Sequence, residues 1–269
     1  MNRNHLYTFL LLVIGSSLCA QVTTLYDQDI TPDVIFGSGN ANGFFTVDQD
    51  NGVELGLRAK LRFDATNSPQ NIFNSNGDGT YTFQAGLPPT GFAWAPGSTS
   101  TALWNFEWSI NSNYDGSSSY NLDDLFYTID IDFDPSAATN FLSFDPINIA
   151  ETATKNYADH SIGDNTTGNG LGTEATDRTT YLPLIANNNV AQNSWNMEFF
   201  DDALNGFPFN GNTTGVYTFR LTAFDSSNNV LAQASIDVLA VPEPSTYAAI
   251  SLVICIAGMI IRRRIRRKN

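Results

Sequence analysis

The chain has 269 residues, 42% of them hydrophobic, with 27 Asp and Glu against 13 Lys and Arg and a formal net charge of −14. That length and apolar content suit a globular core and exclude an acidic disordered chain, while the charge argues against nucleic acid as a partner. Residues 21–241 hold six basic residues against 26 acidic ones and no cysteine, so no disulfide framework or thiolate metal site can stabilise them.

Residues 1–20 read as a secretory signal peptide. Arg3 gives the positive start, Leu6 to Ile14 the apolar stretch, and Ser16-Ser17-Leu18-Cys19-Ala20 the small residues for cleavage. Acylation of Cys19 is disfavoured by the large Leu18 before it, and the apolar run is short for an uncleaved anchor.

The body, 21–240, alternates with period two. Val53, Leu55, Leu57, Ala59, Leu61 and Phe63 are separated by Glu54, Gly56, Arg58, Lys60 and Arg62. Trp104, Phe106, Trp108 and Ile110 repeat the pattern, as do Tyr127, Ile129, Ile131 and Phe133, then Tyr217, Phe219, Leu221 and Ala223 with a partner run from Val230 to Val238. Each predicts an antiparallel strand with one dry and one wet face. Turn residues fall between them at Asn51-Gly52, Asn76-Gly77-Asp78-Gly79, Asp115-Gly116 and Asp225 to Asn229. Asp177 to Asn189 predicts one short helix strained by Pro183, after a Gly-, Asn- and Thr-rich loop from His160 to Glu174. The expectation is an all-β fold: one antiparallel β-sandwich, jelly-roll or immunoglobulin-like, of nine or ten strands in two sheets with one short helix. The closing pattern Gly-x-Tyr-x-Phe-x-Leu-x-Ala-x-Asp resembles the last strands of bacterial immunoglobulin-like modules, which implies architecture and no activity.

Four features invite chemistry. Asn74, Asn76 and Asp78 with Gly79 match the first half of a calcium loop, but Ala85 stands where the bidentate acid belongs, and a plain turn explains them as well. His160, the one histidine beyond the leader, stands between Asp159 and Ser161; adjacent residues cannot form a triad, and a surface role is expected. Trp94, in the Gly/Pro-rich loop 91–97, is the one tryptophan open to a ligand role, although a ring tucked onto the sandwich is the commoner arrangement, whereas Trp104 and Trp108 share the buried phase of Phe106. Lastly, Arg58, Lys60 and Arg62 form a cationic stripe and Asp130, Asp132 and Asp134 an acidic one of equal period, which would pair if their strands were neighbours.

The C-terminus joins three parts: Val241-Pro242-Glu243-Pro244-Ser245, the uncharged run Ala248 to Ile261, and the basic tail Arg262, Arg263, Arg264, Arg266, Arg267 and Lys268. A helix over 247–261, with Tyr247 and the arginines at its two interfaces, predicts a short transmembrane anchor with its tail in the cytoplasm and the body outside. These residues resemble the PEP-CTERM sorting signal of Gram-negative bacteria. The resemblance implies that Pro242, Glu243 and Pro244 form the tripeptide recognised by the membrane enzyme exosortase. The resemblance covers only 241–269 and implies a precursor held in the inner membrane, then a protein displayed at the cell surface or released. It further implies a non-catalytic structural or binding role in exopolysaccharide or biofilm matrix. No cofactor is implied beyond the calcium reading of Asn74, Asn76 and Asp78. The alternatives are a polysaccharide-active enzyme, which needs a carboxylate pair across a groove, and a calcium-dependent adhesin.

Overall fold

A computed structural model describes residues 24–64, 66, 68, 71–89, 98–148, 159–201 and 208–243. Residues 1–23 and 244–269, where the signal peptide, the membrane helix and the basic tail are expected, lie outside them. Among the described residues no helix is long and apolar enough to cross a membrane.

Eleven strands are present among the described residues: β1 (Thr24–Gln28), β2 (Phe45–Asp50), β3 (Val53–Leu61), β4 (Thr80–Gln84), β5 (Trp104–Asn111), β6 (Phe126–Asp132), β7 (Phe141–Phe144), β8 (Ser161–Gly163), β9 (Val190–Trp195), β10 (Gly215–Phe224) and β11 (Val230–Val241). They form two sheets, ordered β1-β2-β3-β5-β9-β8 and β4-β11-β10-β6-β7. All pairings are antiparallel except β4 with β11, which departs from the purely antiparallel expectation. The loop expected to hold His160 to Glu174 also departs, because Ser161–Gly163 pairs with β9 and Ile162 bridges Thr173.

The turns form where their residues permit. Asn51 and Gly52 both have positive φ, 51° and 77°, so the β2–β3 link is a two-residue hairpin turn whose twist matches its strands. Between β10 and β11, Asp225 Oδ1 accepts from the Ser227 and Asn229 backbone N–H groups. The core lies between the sheets. Phe106 of β5 stacks on Phe219 of β10 with ring centroids 4.4 Å apart, and Trp104, Trp108 and Trp195 close around them. The alternation therefore placed the apolar faces correctly.

It misplaced the other face of the first sheet. Segment 29–44 crosses over that face, and Ile30, Val34 and Phe36 pack with Phe45 and Val47 into a second, smaller core. Glu54, Arg58, Glu107 and Gln192, expected to be wet or unassigned, are thereby buried. The cause is backbone satisfaction. A chain lying on a sheet away from water needs partners for its N–H and C=O groups, and these side chains supply them. Glu54 accepts from Thr31 N at 2.7 Å; Gln192 accepts from Ile35 N and donates to Asp33 O, both at 2.8 Å; Arg58 Nη1 donates to Ala41 O and Gly43 O. Gly56 is required below the crossing, because a Cβ there would stand 2.7 Å from Ile30 Cγ2.

The two charged stripes do not meet, since β3 and β6 belong to different sheets. Each finds a partner on its own neighbour instead. Arg58 lies opposite Glu107 and bonds it through Nε at 2.6 Å, while Arg220 of β10 lies opposite Asp130 and reaches it at 2.7 Å. The cross-strand rule held; the assumed neighbours were wrong.

The expected helix forms as α1 (Arg178–Asn187), capped by Asp177, whose Oδ1 accepts from Thr180 N at 2.8 Å. Pro183 removes the bond due to Thr179 O, and Thr179 is exposed, so water can serve that carbonyl. Tyr181 and Ile185 turn inward.

Candidate functional site

The outer face of the second sheet is partly open: Phe126 is exposed and Thr128, Arg220 and Phe224 are half-buried, whereas Asp130 and Thr222 are buried. On it, β6 and β10 set Phe126 opposite Phe224, Thr128 opposite Thr222 and Asp130 opposite Arg220. Strand parity explains the arrangement: Tyr127, Ile129 and Ile131 take the core side, so Phe126 must take the outer one. Phe126 is 53% exposed, unusual for a phenylalanine beside so much polar surface. It borders a groove of about 500 Å³ with Phe144 and Phe224, edged by Thr128, Ser143 and Asn228. Ring faces flanked by hydroxyl and amide groups suit a ligand with one apolar face and polar edges, such as a sugar ring.

The groove's ionisable groups serve structure. Asp145 Oδ1 accepts from the backbone N–H groups of Ile147 and Asn148, and its Oδ2 from Tyr127 N and the Asn148 amide. The Tyr127 hydroxyl is buried without a hydrogen-bond partner among the described residues. Burial, reinforced by the charges of Asp145, Asp124 and Asp123, raises that phenol well above its ordinary value and keeps it protonated. Elsewhere, Glu198 is engaged by Thr101 Oγ1 at 2.6 Å, and Glu107 by Arg58.

His160 is not on the surface but in the core, fully buried between Trp108, Trp195 and Tyr181. Asn193 Oδ1 accepts from Ser194 N, which turns the Asn193 amide group toward the imidazole. His160 Nδ1 therefore accepts at 3.1 Å, and Nε2–H donates to Pro146 O at 2.7 Å. Both ring nitrogens are spent on structure.

Asn74, Asn76 and Asp78 all lie in the turn before β4 and bond its strand, not one another. The Asn74 amide donates to Thr82 O, the Asn76 amide to Thr80 Oγ1 and Thr82 Oγ1, and Asp78 Oδ1 accepts from Thr80 N and Oγ1. The Thr80 bonds hold the Asp78 carboxyl below its ordinary value. Among the described residues no three His, Cys, Asp or Glu side chains group closely enough to hold a metal ion. Trp94 lies outside the described residues. Pro242 and Glu243 follow directly on β11, whose Val241 carbonyl accepts from Ala85 N at 2.8 Å. Glu243 borders an apolar groove with Leu61, Phe63, Leu87 and Leu103, and Pro244 lies outside the described residues.

Sequence reasoning missed Phe126 and Phe224. The signal was available, since an aromatic residue in the wet phase of an otherwise polar strand asks for an explanation. Compared with known protein families, curated proteins and solved structures, the chain finds no match.

Proposed function

We propose that this chain is an exported, non-catalytic binding module of an extracellular polysaccharide matrix. Its body is a jelly-roll or immunoglobulin-like sandwich, led out by residues 1–20. It is anchored in the inner membrane through 247–261 until an exosortase-type enzyme acts at Pro242-Glu243-Pro244. The observation that carries the binding reading is the Phe126–Phe224 pair on the partly open face, beside a groove whose carboxylate, Asp145, is fully occupied by backbone and amide donors. The end of β11 at Val241 is consistent with a body that stops where the sorting signal begins.

The test incubates the full chain with the producing cells' own exopolysaccharide and scores retention and polymer length in the same tubes. Retention that falls about tenfold in Phe126→Ala, with polymer length unchanged, is expected from losing one stacking ring. Shortened polymer, or retention indifferent to Phe126, overturns the reading.

A further inference from the structure

A second groove, of about 360 Å³, opens where segment 29–44 meets the first sheet. Lys60 enters it from β3, Asn40 from the crossing segment and Glu107 from β5. Lys60 Nζ donates directly to Asn40 Oδ1. The carboxamide cannot swing away, because its Nδ2 donates to Phe36 O at 2.9 Å and to Gly37 O at 3.1 Å. Those bonds fix its carbonyl toward the amine. Lys60 itself is partly withdrawn from water, and Phe36 and Phe199 wall the groove.

We propose that Lys60 and Asn40 are joined by an intramolecular amide bond, a covalent staple between segment 29–44 and β3. The lysine ammonium first sheds one proton to the solvent in the groove. The neutral amine then adds to Asn40 Cγ, the Cγ–Nδ2 bond breaks, and one Nζ proton passes to the departing nitrogen, which leaves as ammonia. No oxidant or co-reactant is needed, and the atoms balance as amine plus primary amide giving secondary amide plus ammonia. Holding the reacting groups in contact supplies the effective concentration that an uncatalysed amide exchange lacks. Burial lowers the proton affinity of Lys60; the Glu107 charge opposes that shift, whereas Arg58 and Arg62 add to it. The staple also answers a need: the body has no cysteine, so its crossing segment has no disulfide to hold it.

The experiment digests the denatured full chain with trypsin and maps the peptides by mass. The expected product is a branched peptide, the segment ending at Arg58 joined to Ala59–Arg62, one ammonia lighter than the two together, with no cleavage after Lys60. Lys60→Arg keeps the charge and the hydrogen bond but cannot form the link, so that variant should fold and give no branched peptide; Asn40→Ala should give none either. Release of free Ala59–Lys60 together with an unlinked Asn40 peptide of native mass from the wild-type chain would overturn the proposal. The result is independent of polymer retention, so the staple and the binding role stand or fall separately.

Discussion

The two sheets share one core but treat their outer faces in different ways. The first sheet is sealed: segment 29–44 lies across it, and Arg58, Glu54 and Gln192 are consumed in holding that segment down. The second sheet is only partly covered: in its polar ladder Thr128, Arg220 and Gln233 are half-buried, Asp130 and Thr222 are buried by their neighbours, and the row ends in the exposed Phe126. Similar alternation thus serves two ends. A polar stripe under a covering chain is a row of fasteners, whereas one facing water is surface on which something can bind.

The sharpest break of this contrast is at Arg58. Its guanidinium is fully buried, lies 4.1 Å and 4.2 Å from the ring centroids of Phe45 and Phe73, and pairs with Glu107. Arg58→Ala leaves the Glu107 charge unpaired in the interior and is expected to cost about 3–5 kcal/mol, read by urea unfolding. Next comes Gly56→Ala. Its new methyl meets Ile30 and Phe45 and must lift the crossing segment, at about 1–3 kcal/mol. Arg220→Ala on the second sheet removes a comparable ion pair, but the Arg220 side chain is 40% exposed and Asp130, itself 8% exposed, keeps the hydrogen bond from Ser143 Oγ. A loss of about 1 kcal/mol or less is expected there. Equal losses at Arg58 and Arg220 would erase the distinction between sealed and partly open faces.

Much of this was legible from the residues and some was not. The phases of Trp104, Phe106, Trp108 and the Tyr217–Ala223 run follow from period two, since a one-residue error would turn every large side chain to water. The helix expected over Asp177 to Asn189 forms as Arg178–Asn187 despite the strain expected of Pro183. The seal was not legible, because Ile30, Val34 and Phe36 show no period that announces what they cover. Nor was β9, whose Gln192, Asn193 and Ser194 look like surface until their buried partners are known. His160 failed for the same reason: a polar residue satisfied in the core reads in sequence like one satisfied by water. Neighbours across a sheet are set by topology, which is why the stripes of Arg58 and Asp130 could be offered as partners only on the condition that their strands met, and the true partners Glu107 and Arg220 could not be named.

Acid should also separate the two regions. Asp78 and Asp225 hold the turns flanking β4 and β10, and hydrogen bonds from Thr80 and Asn229 keep both carboxyls below their ordinary value. Their stabilisation is complete above the ordinary carboxylate range and is lost as pH falls through the lowered value. Glu54, beneath the crossing segment, has the opposite sign. Desolvation raises it, against the bonds from Thr31 and Gln49, so its contribution is present in acid and lost as pH rises. Limited proteolysis between about pH 5 and pH 2 should cut at the Asp225 turn before it cuts in 29–44. Smallest of all is the expected response to a chelator. With the Asn74 and Asn76 amides donating to β4, the melting temperature should not move.

The contrast between the faces is tested most directly by hydrogen exchange on the full chain with and without its native exopolysaccharide. Added protection in Phe126–Asp132 and Phe141–Phe144, with 29–44 unchanged, is the predicted result. Protection confined to 29–44 and β3 would contradict it, and would make the sealed face the one that binds.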